Sequence, residues 1–230
     1  MLSRVVIIAA GGTGSRLNAN LPKQYMLLNE MPVLMHTISV FEAHVDKIIV
    51  VINAEMVDYW NELCQQYDFN IPHELILGGK TRFQSVRNAL NYLETRFPDF
   101  FYNEDTTIAV HDAARPLVDS DLIAKSFALA FAGKSNVLAQ KCTNSIRIGD
   151  ISDNEAVDRD TVWQIQTPQT FPSQVIQEAY LQLELPTFTD DASVVEKIGY
   201  SIHLLESSSK NLKLTFAEDF EIAKLYLNTK

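Results

Sequence analysis

The hydrophobic pattern of this chain alternates between two periods. Residues 5–10 (VVIIAA) form an unbroken apolar run closed by glycines, as in a strand buried on both faces. Residues 47–52 (KIIVVI) and 106–110 (TTIAV) read the same way, and residues 137–140 extend the series. Helical spacing fills the intervals. Leu34, Ile38 and Phe41 share one helical face, Trp60, Leu63 and Tyr67 a second, and Val86, Leu90 and Leu93 a third. Strands alternating with helices predict an α/β fold: a Rossmann-like, mostly parallel sheet with helices on both faces. Ligands of such sheets bind beyond the carboxyl ends of the strands. Here those ends carry Gly11-Gly12, Asn53, Gly78-Gly79 and His111-Asp112.

Residues 144–159 break the alternation. They are polar, with short apolar pairs and a turn signal at Gly149-Asp150, and they predict a β-hairpin arm projecting from the sheet. Helices are then expected over 172–183 and 190–198, and a strand over 200–205. Thr215-x-x-Glu218 reads as a capping box opening a final helix, with Phe220, Ala223 and Leu227 on one face. Without repeats or a flexible linker, residues 1–230 are expected to form one domain, with the projecting arm at about 143–160.

Charge narrows the partners. The net charge is −10, which disfavours nucleic acid and anionic membranes. Such a chain binds phosphates only if its cations converge on one cleft. Two cysteines without a CxxC pair indicate neither zinc nor a disulfide framework. No apolar stretch approaches the ~18 residues of a spanning helix. The N-terminus runs straight into a strand, and the cytoplasm is the expected location.

Five segments carry candidate chemistry. The first is Ala9-Ala10-Gly11-Gly12-Thr13-Gly14-Ser15-Arg16 after the first strand, with Pro22-Lys23-Gln24 beyond it. Glycines let backbone N–H groups approach phosphate, and Arg16 and Lys23 add full charge. The loop lacks the Gly-Lys-Ser/Thr ending of a Walker motif and the third glycine of a dinucleotide fingerprint. The second is Gly78-Gly79-Lys80-Thr81-Arg82-Phe83-Gln84-Ser85, which reads either as a turn with Thr81-x-x-Gln84 capping a helix or as a loop that faces the base while Arg82 reaches phosphate or supports the site. The third is His111-Asp112-Ala113-Ala114-Arg115-Pro116. Asp112 suits a metal or a ribose hydroxyl, and Arg115 suits a pair with Asp112 or a phosphate. His111 is not favoured as a base, because an ionised phosphate nucleophile needs none. The fourth is Asp158-Arg159, where a lone Arg after an arm reads as a surface charge, followed by Gln166-Thr167-Pro168-Gln169, which suits a tight polar loop. The fifth is Thr189-Asp190-Asp191-Ala192-Ser193 with Asn211-x-Lys213 downstream. Its acids suit either a helix N-terminus or attraction of Mg²⁺.

Taken together, in this order and over nearly the whole length, the segments resemble the 2-C-methyl-D-erythritol 4-phosphate cytidylyltransferase family. His111–Pro116 and Thr167-Pro168-Gln169 are the most distinctive parts of the match. The resemblance implies transfer of CMP from CTP to the polyol phosphate, with pyrophosphate released, Mg²⁺ as cofactor and a homodimer whose arms complete each other's sites. Arg16 and Lys23 would stabilise the transition state, and Arg159 and Lys213 would position the attacking phosphate. Ala9, Ala10, Gly11, Gly12, Thr13, Gly14, Gly79, Arg82, Ser85, Asp112 and Ala113 would hold the nucleotide. Arg115, Ser145, Thr167 and Thr189 would hold the polyol phosphate, and Asp112 would face the metal. The arm departs from the family pattern at Thr143-Asn144-Ser145, where Asn144 replaces an acid. Lys80 and Lys210 stand where relatives often carry acids. A ribitol 5-phosphate cytidylyltransferase shares the chemistry. A dinucleotide-dependent oxidoreductase would need an acid ending the second strand, which ends instead at Asn53. A non-catalytic nucleotide sensor would not need Arg16, Lys23, Arg159 and Lys213 together.

Overall fold

The computed structural model describes residues 2–12 and 21–228. Thr13, Gly14 and Arg16 of the first loop lie outside the described residues. The apolar runs become strands where expected: β1 (Ser3–Ala10), after a small hairpin of β2 (Leu27–Leu28) and β3 (Met31–Pro32), then β4 (Lys47–Ile52), β5 (Glu74–Leu77), β6 (Thr106–Asp112) and β7 (Asn136–Lys141). The arm is the hairpin β8 (Ile146–Gly149) and β9 (Asn154–Val157). Long β10 (Trp163–Pro172) and β11 (His203–Glu206) complete a seven-stranded sheet of order β11-β7-β10-β6-β1-β4-β5. All neighbours are parallel except β10, which runs antiparallel to both β6 and β7.

Strand alternation sorts the core into two faces. Val6, Ile8, Val50, Ile52 and Ala109 pack beneath α1 (Val33–Glu42), α2 (Val57–Gln66) and, later in the chain, α5 (Ser120–Phe131). Val5, Ile7, Ile49, Val51 and Val110 pack beneath α3 (Arg82–Arg96), α6 (Ser173–Tyr180) and α7 (Asp191–Lys197). The one-turn α4 (Pro98–Phe101) follows α3, and α8 (Ala217–Asn228) closes the chain over Leu28, Val33 and Ala114. Helices on both faces of a mostly parallel sheet are the predicted architecture. The chain order reverses at β1, which lies between β4 and β6. That is the crevice where such sheets take ligands.

Two expectations need correction. Gln166-Thr167-Pro168-Gln169 is not a loop but the interior of β10, with all four residues buried. Its side chains are polar because they bond across the sheet edge: Gln169 to Asp190 and to the Ala192 N–H, and Thr167 to the Asp112 N–H. The last helix is also capped differently. Asp219, not Glu218, accepts the Thr215 and Phe216 N–H groups at 2.7 Å each, while the Thr215 hydroxyl turns to the Lys213 carbonyl. Helix α3 keeps the expected cap, with the Gln84 N–H donating to Thr81 Oγ1 at 3.1 Å. Asp219→Ala therefore costs about 1 kcal/mol of stability, the usual value of a lost cap. Glu218→Ala stays within about 0.5 kcal/mol. Urea denaturation midpoints of the two variants check this, and the reverse ranking would restore the box at Glu218.

Candidate active site

A cleft of about 460 Å³ opens where the carboxyl ends of β1 and β6 meet. One wall is formed by Ala9 and Ala10 of β1, Gly11 and Gly12 just after it, and Ala113 and Ala114 after β6. Gln24 fixes the first of these turns by donating to the Ala10 and Gly12 carbonyls at 2.7 and 2.9 Å. Those bonds carry the Lys23-Gln24 segment to the rim, so Lys23 lines the cleft. Opposite lie Gly79, Lys80, Thr81, Arg82 and Ser85 at the start of α3. The Gly79 N–H donates to Ser85 Oγ at 3.1 Å, and the Ser85 hydroxyl donates in turn to the Thr81 carbonyl. A Cβ on Gly79 would lie 2.3 Å from Gln84 Cβ, which explains glycine here.

Asp112 is the electrostatic centre. Lys213 Nζ lies 2.7 Å from Oδ2, Arg115 Nε 3.6 Å from the same oxygen, and Arg82 Nε 3.7 Å from Oδ1. Burial by itself raises the Asp112 pKa, but Arg82, Lys213 and Arg115 outweigh it and hold the carboxyl well below the usual carboxylate range. Arg82 has a second partner, Asp191 Oδ2 at 2.6 Å, and Asp191 is fully buried with its other oxygen accepting from the Tyr180 hydroxyl. The acids of the fifth segment are thus not free to attract a metal. Asp191 is committed to Arg82, and Asp190 caps α7 by accepting the Ser193 N–H.

The remaining predicted residues fall into three places. Arg115 and Thr167 stand behind Asp112 rather than in the cleft lining. Arg115 donates to the Asn211 carbonyl at 2.7 Å, and Asn211 Nδ2 donates to Gln166 Oε1 and the Thr167 carbonyl, both at 2.9 Å. Asn211 so ties β10 to the segment that delivers Lys213. Thr189 is exposed beside Arg82 and Phe83. Ser145 and Arg159 are on the arm, outside the cleft lining, and the Arg159 guanidinium rests on the Thr143 carbonyl at 3.1 Å. Gln24, Lys80, Thr81, Ala114 and Thr215 line the cleft without having been assigned to it. Gln24 was legible only as part of the Pro-Lys-Gln run.

Among the described residues no group of three or more His, Cys, Asp or Glu could hold a metal ion. The cleft lining offers one carboxylate, Asp112, already ionised. That donor set fits Mg²⁺ held mainly by substrate phosphates and water, with a single protein oxygen. It does not form a protein cage.

His111 is not among the cleft-lining residues. It is fully buried, packs edge-on against Phe41 and bonds Thr167 Oγ1 and the Arg115 carbonyl. Burial pushes its pKa down from 6.5 to about 4.

An α/β sheet with its chain reversal at β1 and a glycine-walled, cation-lined cleft at that crevice has the architecture of the Rossmann-like nucleotidyltransferases. Comparison with known proteins narrows this class. The family model for 2-C-methyl-D-erythritol 4-phosphate cytidylyltransferase (IspD) matches residues 4–229. The enzyme of that name from Porphyromonas gingivalis is 42% identical over 227 residues, covering 98% of both chains. Its Bacteroides fragilis counterpart is 36% identical over 98% of this chain and 100% of its own. A solved 4-diphosphocytidyl-2C-methyl-D-erythritol synthase superposes with a TM-score of 0.80 at 29% identity, covering 99% of each chain. The Francisella tularensis cytidylyltransferase gives 0.77 at 30%, covering 97% of this chain and 99% of its own. The chain belongs to the 2-C-methyl-D-erythritol 4-phosphate cytidylyltransferase family.

The state of His111 sets a pH dependence. Its folded pKa lies below the unfolded value, so between pH 6.5 and about 4 the unfolded chain binds a proton that the folded chain refuses. Stability therefore falls across that window as pH drops, by about 3 kcal/mol from this residue. His111→Asn flattens the decline in urea-unfolding free energy between pH 6.5 and 4. An unchanged slope would mean that His111 does not titrate this way.

Proposed function

We propose that the chain transfers CMP from CTP to 2-C-methyl-D-erythritol 4-phosphate and releases pyrophosphate. Family membership supports the reaction class and substrates. The single structural observation that carries the reading is the cleft itself, where Lys23, Arg82 and Lys213 from separate segments converge on glycine-walled backbone. In an acidic chain, that convergence is what a triphosphate requires.

The residues divide the work. Backbone at Ala9–Gly12 approaches the phosphates, and a phosphate-binding role is assigned to Thr13 and Gly14 from the motif. Gly79, Arg82, Ser85 and Ala113 hold the nucleotide, and Asp112 takes the ribose or would help to hold Mg²⁺. That metal would supply charge neutralisation on the phosphate oxygens. Arg16 and Lys23 stabilise the charge that builds on the α-phosphate and on the departing pyrophosphate. A phosphate oxygen of the polyol phosphate attacks the α-phosphorus in line, so neither a covalent enzyme intermediate nor a base is needed. Fixing two anions in attack geometry supplies up to ~7–11 kcal/mol in the best model systems.

Lys213 sits at the cleft, but Arg159 and Ser145 sit on the arm. The hairpin is largely exposed, with Ile148 59% and Ile151 103% accessible. We assign the arm to a second copy of the chain, whose cleft would receive Arg159 and Ser145, with Arg115, Thr167 and Thr189 completing the acceptor side. Residues 1–230 then act as one catalytic domain within a homodimer. We place the enzyme in the cytoplasm. No helix of the described residues is long and apolar enough to cross a membrane.

Pyrophosphate release with CTP and Mg²⁺ is expected with methylerythritol 4-phosphate and is far weaker with ribitol 5-phosphate; release with neither acceptor contradicts the proposal. Lys23→Ala lowers kcat by ~10²–10³-fold, as for loss of one transition-state donor, and wild-type turnover would remove it from that role. Arg159→Ala chiefly raises KM for the polyol phosphate. At polyol phosphate well below the raised KM, where both variants are impaired, mixing Lys23→Ala and Arg159→Ala proteins restores partial activity if arms act across the dimer. No recovery would place Arg159 in its own chain's site.

A further inference from the structure

Arg82 lines the nucleotide cleft but is anchored from behind it. Its Nη2 donates to Asp191 Oδ2 at 2.6 Å, and Asp191 Oδ1 accepts from the Tyr180 hydroxyl at 2.6 Å. Asp191 is 0% exposed in the first turn of α7, and Tyr180 is 3% exposed at the end of α6. The Tyr180 ring stacks on Phe83, the neighbour of Arg82 on α3, with centroids 4.7 Å apart and planes 22° from parallel. Three helices thus meet around one buried carboxylate that does not line the cleft.

A buried carboxylate costs desolvation, and an apolar pair would pack α6 against α7 as well. What the carboxylate adds is a fixed guanidinium. Arg82 Nε stands 3.7 Å from Asp112 Oδ1, too far for a hydrogen bond, while its Nη2 is held at 2.6 Å on the other side. Freed from Asp191, the guanidinium would close on Asp112 as a charge-assisted pair. Both groups would then be withdrawn from an incoming nucleotide.

The geometry points to Asp191, braced by Tyr180, as a positioning residue for nucleotide binding: it holds Arg82 short of Asp112 so that both stay available to the triphosphate nucleotide. This role rests on the nucleotide reading of the cleft. It acts wholly through Arg82, which separates it from a general structural role. A general packing defect would weaken binding whether or not Arg82 is present.

The test is the Kd for CTP by calorimetry, in Asp191→Asn, Arg82→Ala and the double variant. Asp191→Asn is expected to weaken CTP by about tenfold, the scale of coupling between contacting residues. In the Arg82→Ala background the same change is expected to have little further effect. KM for the polyol phosphate should move much less than Kd for CTP. If Asp191→Asn does not fold, Tyr180→Phe with and without Arg82→Ala gives the same comparison with a smaller first loss. Equal losses in both backgrounds, or wild-type affinity in Asp191→Asn, overturn the positioning role alone. A native chain that binds no CTP overturns the functional reading beneath it.

Discussion

The site depends on one carboxylate at the end of a central strand. Asp112 draws Arg82 from α3, Arg115 from its own turn and Lys213 from the segment before α8. Three cations in one partly buried place would repel one another, and each would lose hydration. Asp112 offsets part of that, and Asp191 offsets more by holding Arg82. The cluster keeps a net positive charge, which an anionic ligand can complete. A chain of net charge −10 thereby presents an anion site without being basic overall.

The sheet holds that cluster in place. Antiparallel β10 lies beside β6, so Thr167 can accept the Asp112 N–H, and Asn211 can bridge β10 to the Lys213 segment. The Leu214 N–H then donates to the Ala114 carbonyl at 2.8 Å, binding that segment to the loop after β6. Polar residues inside β10 are bonded on both sides, which is how a buried polar strand avoids the cost of unpaired groups. The same strand reaches α7 through Gln169, so the Asp112 cluster and the start of α7 share one scaffold.

Much of this was legible in the chain. The apolar runs placed β1, β4 and β6 within two residues at either end, because strands buried on both faces leave continuous hydrophobic sequence. The arm was legible from its polar pattern and its Gly149-Asp150 turn. β10 was hidden, because its buried positions are Gln and Thr and only tertiary partners make them strand-compatible. The true cap of α8 was hidden for a smaller reason: two acids stand side by side, and the helix start decides which one reaches back. Glycine and lysine positions announced the cleft. The bond from Arg82 to Asp191, 109 positions apart, had no local signature.

The cleft lining and the arm are separate within one chain: Lys23, Arg82, Asp112 and Lys213 line the first, and Ser145 and Arg159 sit on the second. If the chain transfers CMP as proposed, the α-phosphorus of CTP passes to the polyol phosphate. With CTP radiolabelled at that phosphorus, label is expected in the organic diphosphate product and none in the released pyrophosphate. Label recovered as free CMP, or an acceptor that takes its phosphate from the γ-position instead, would contradict that transfer.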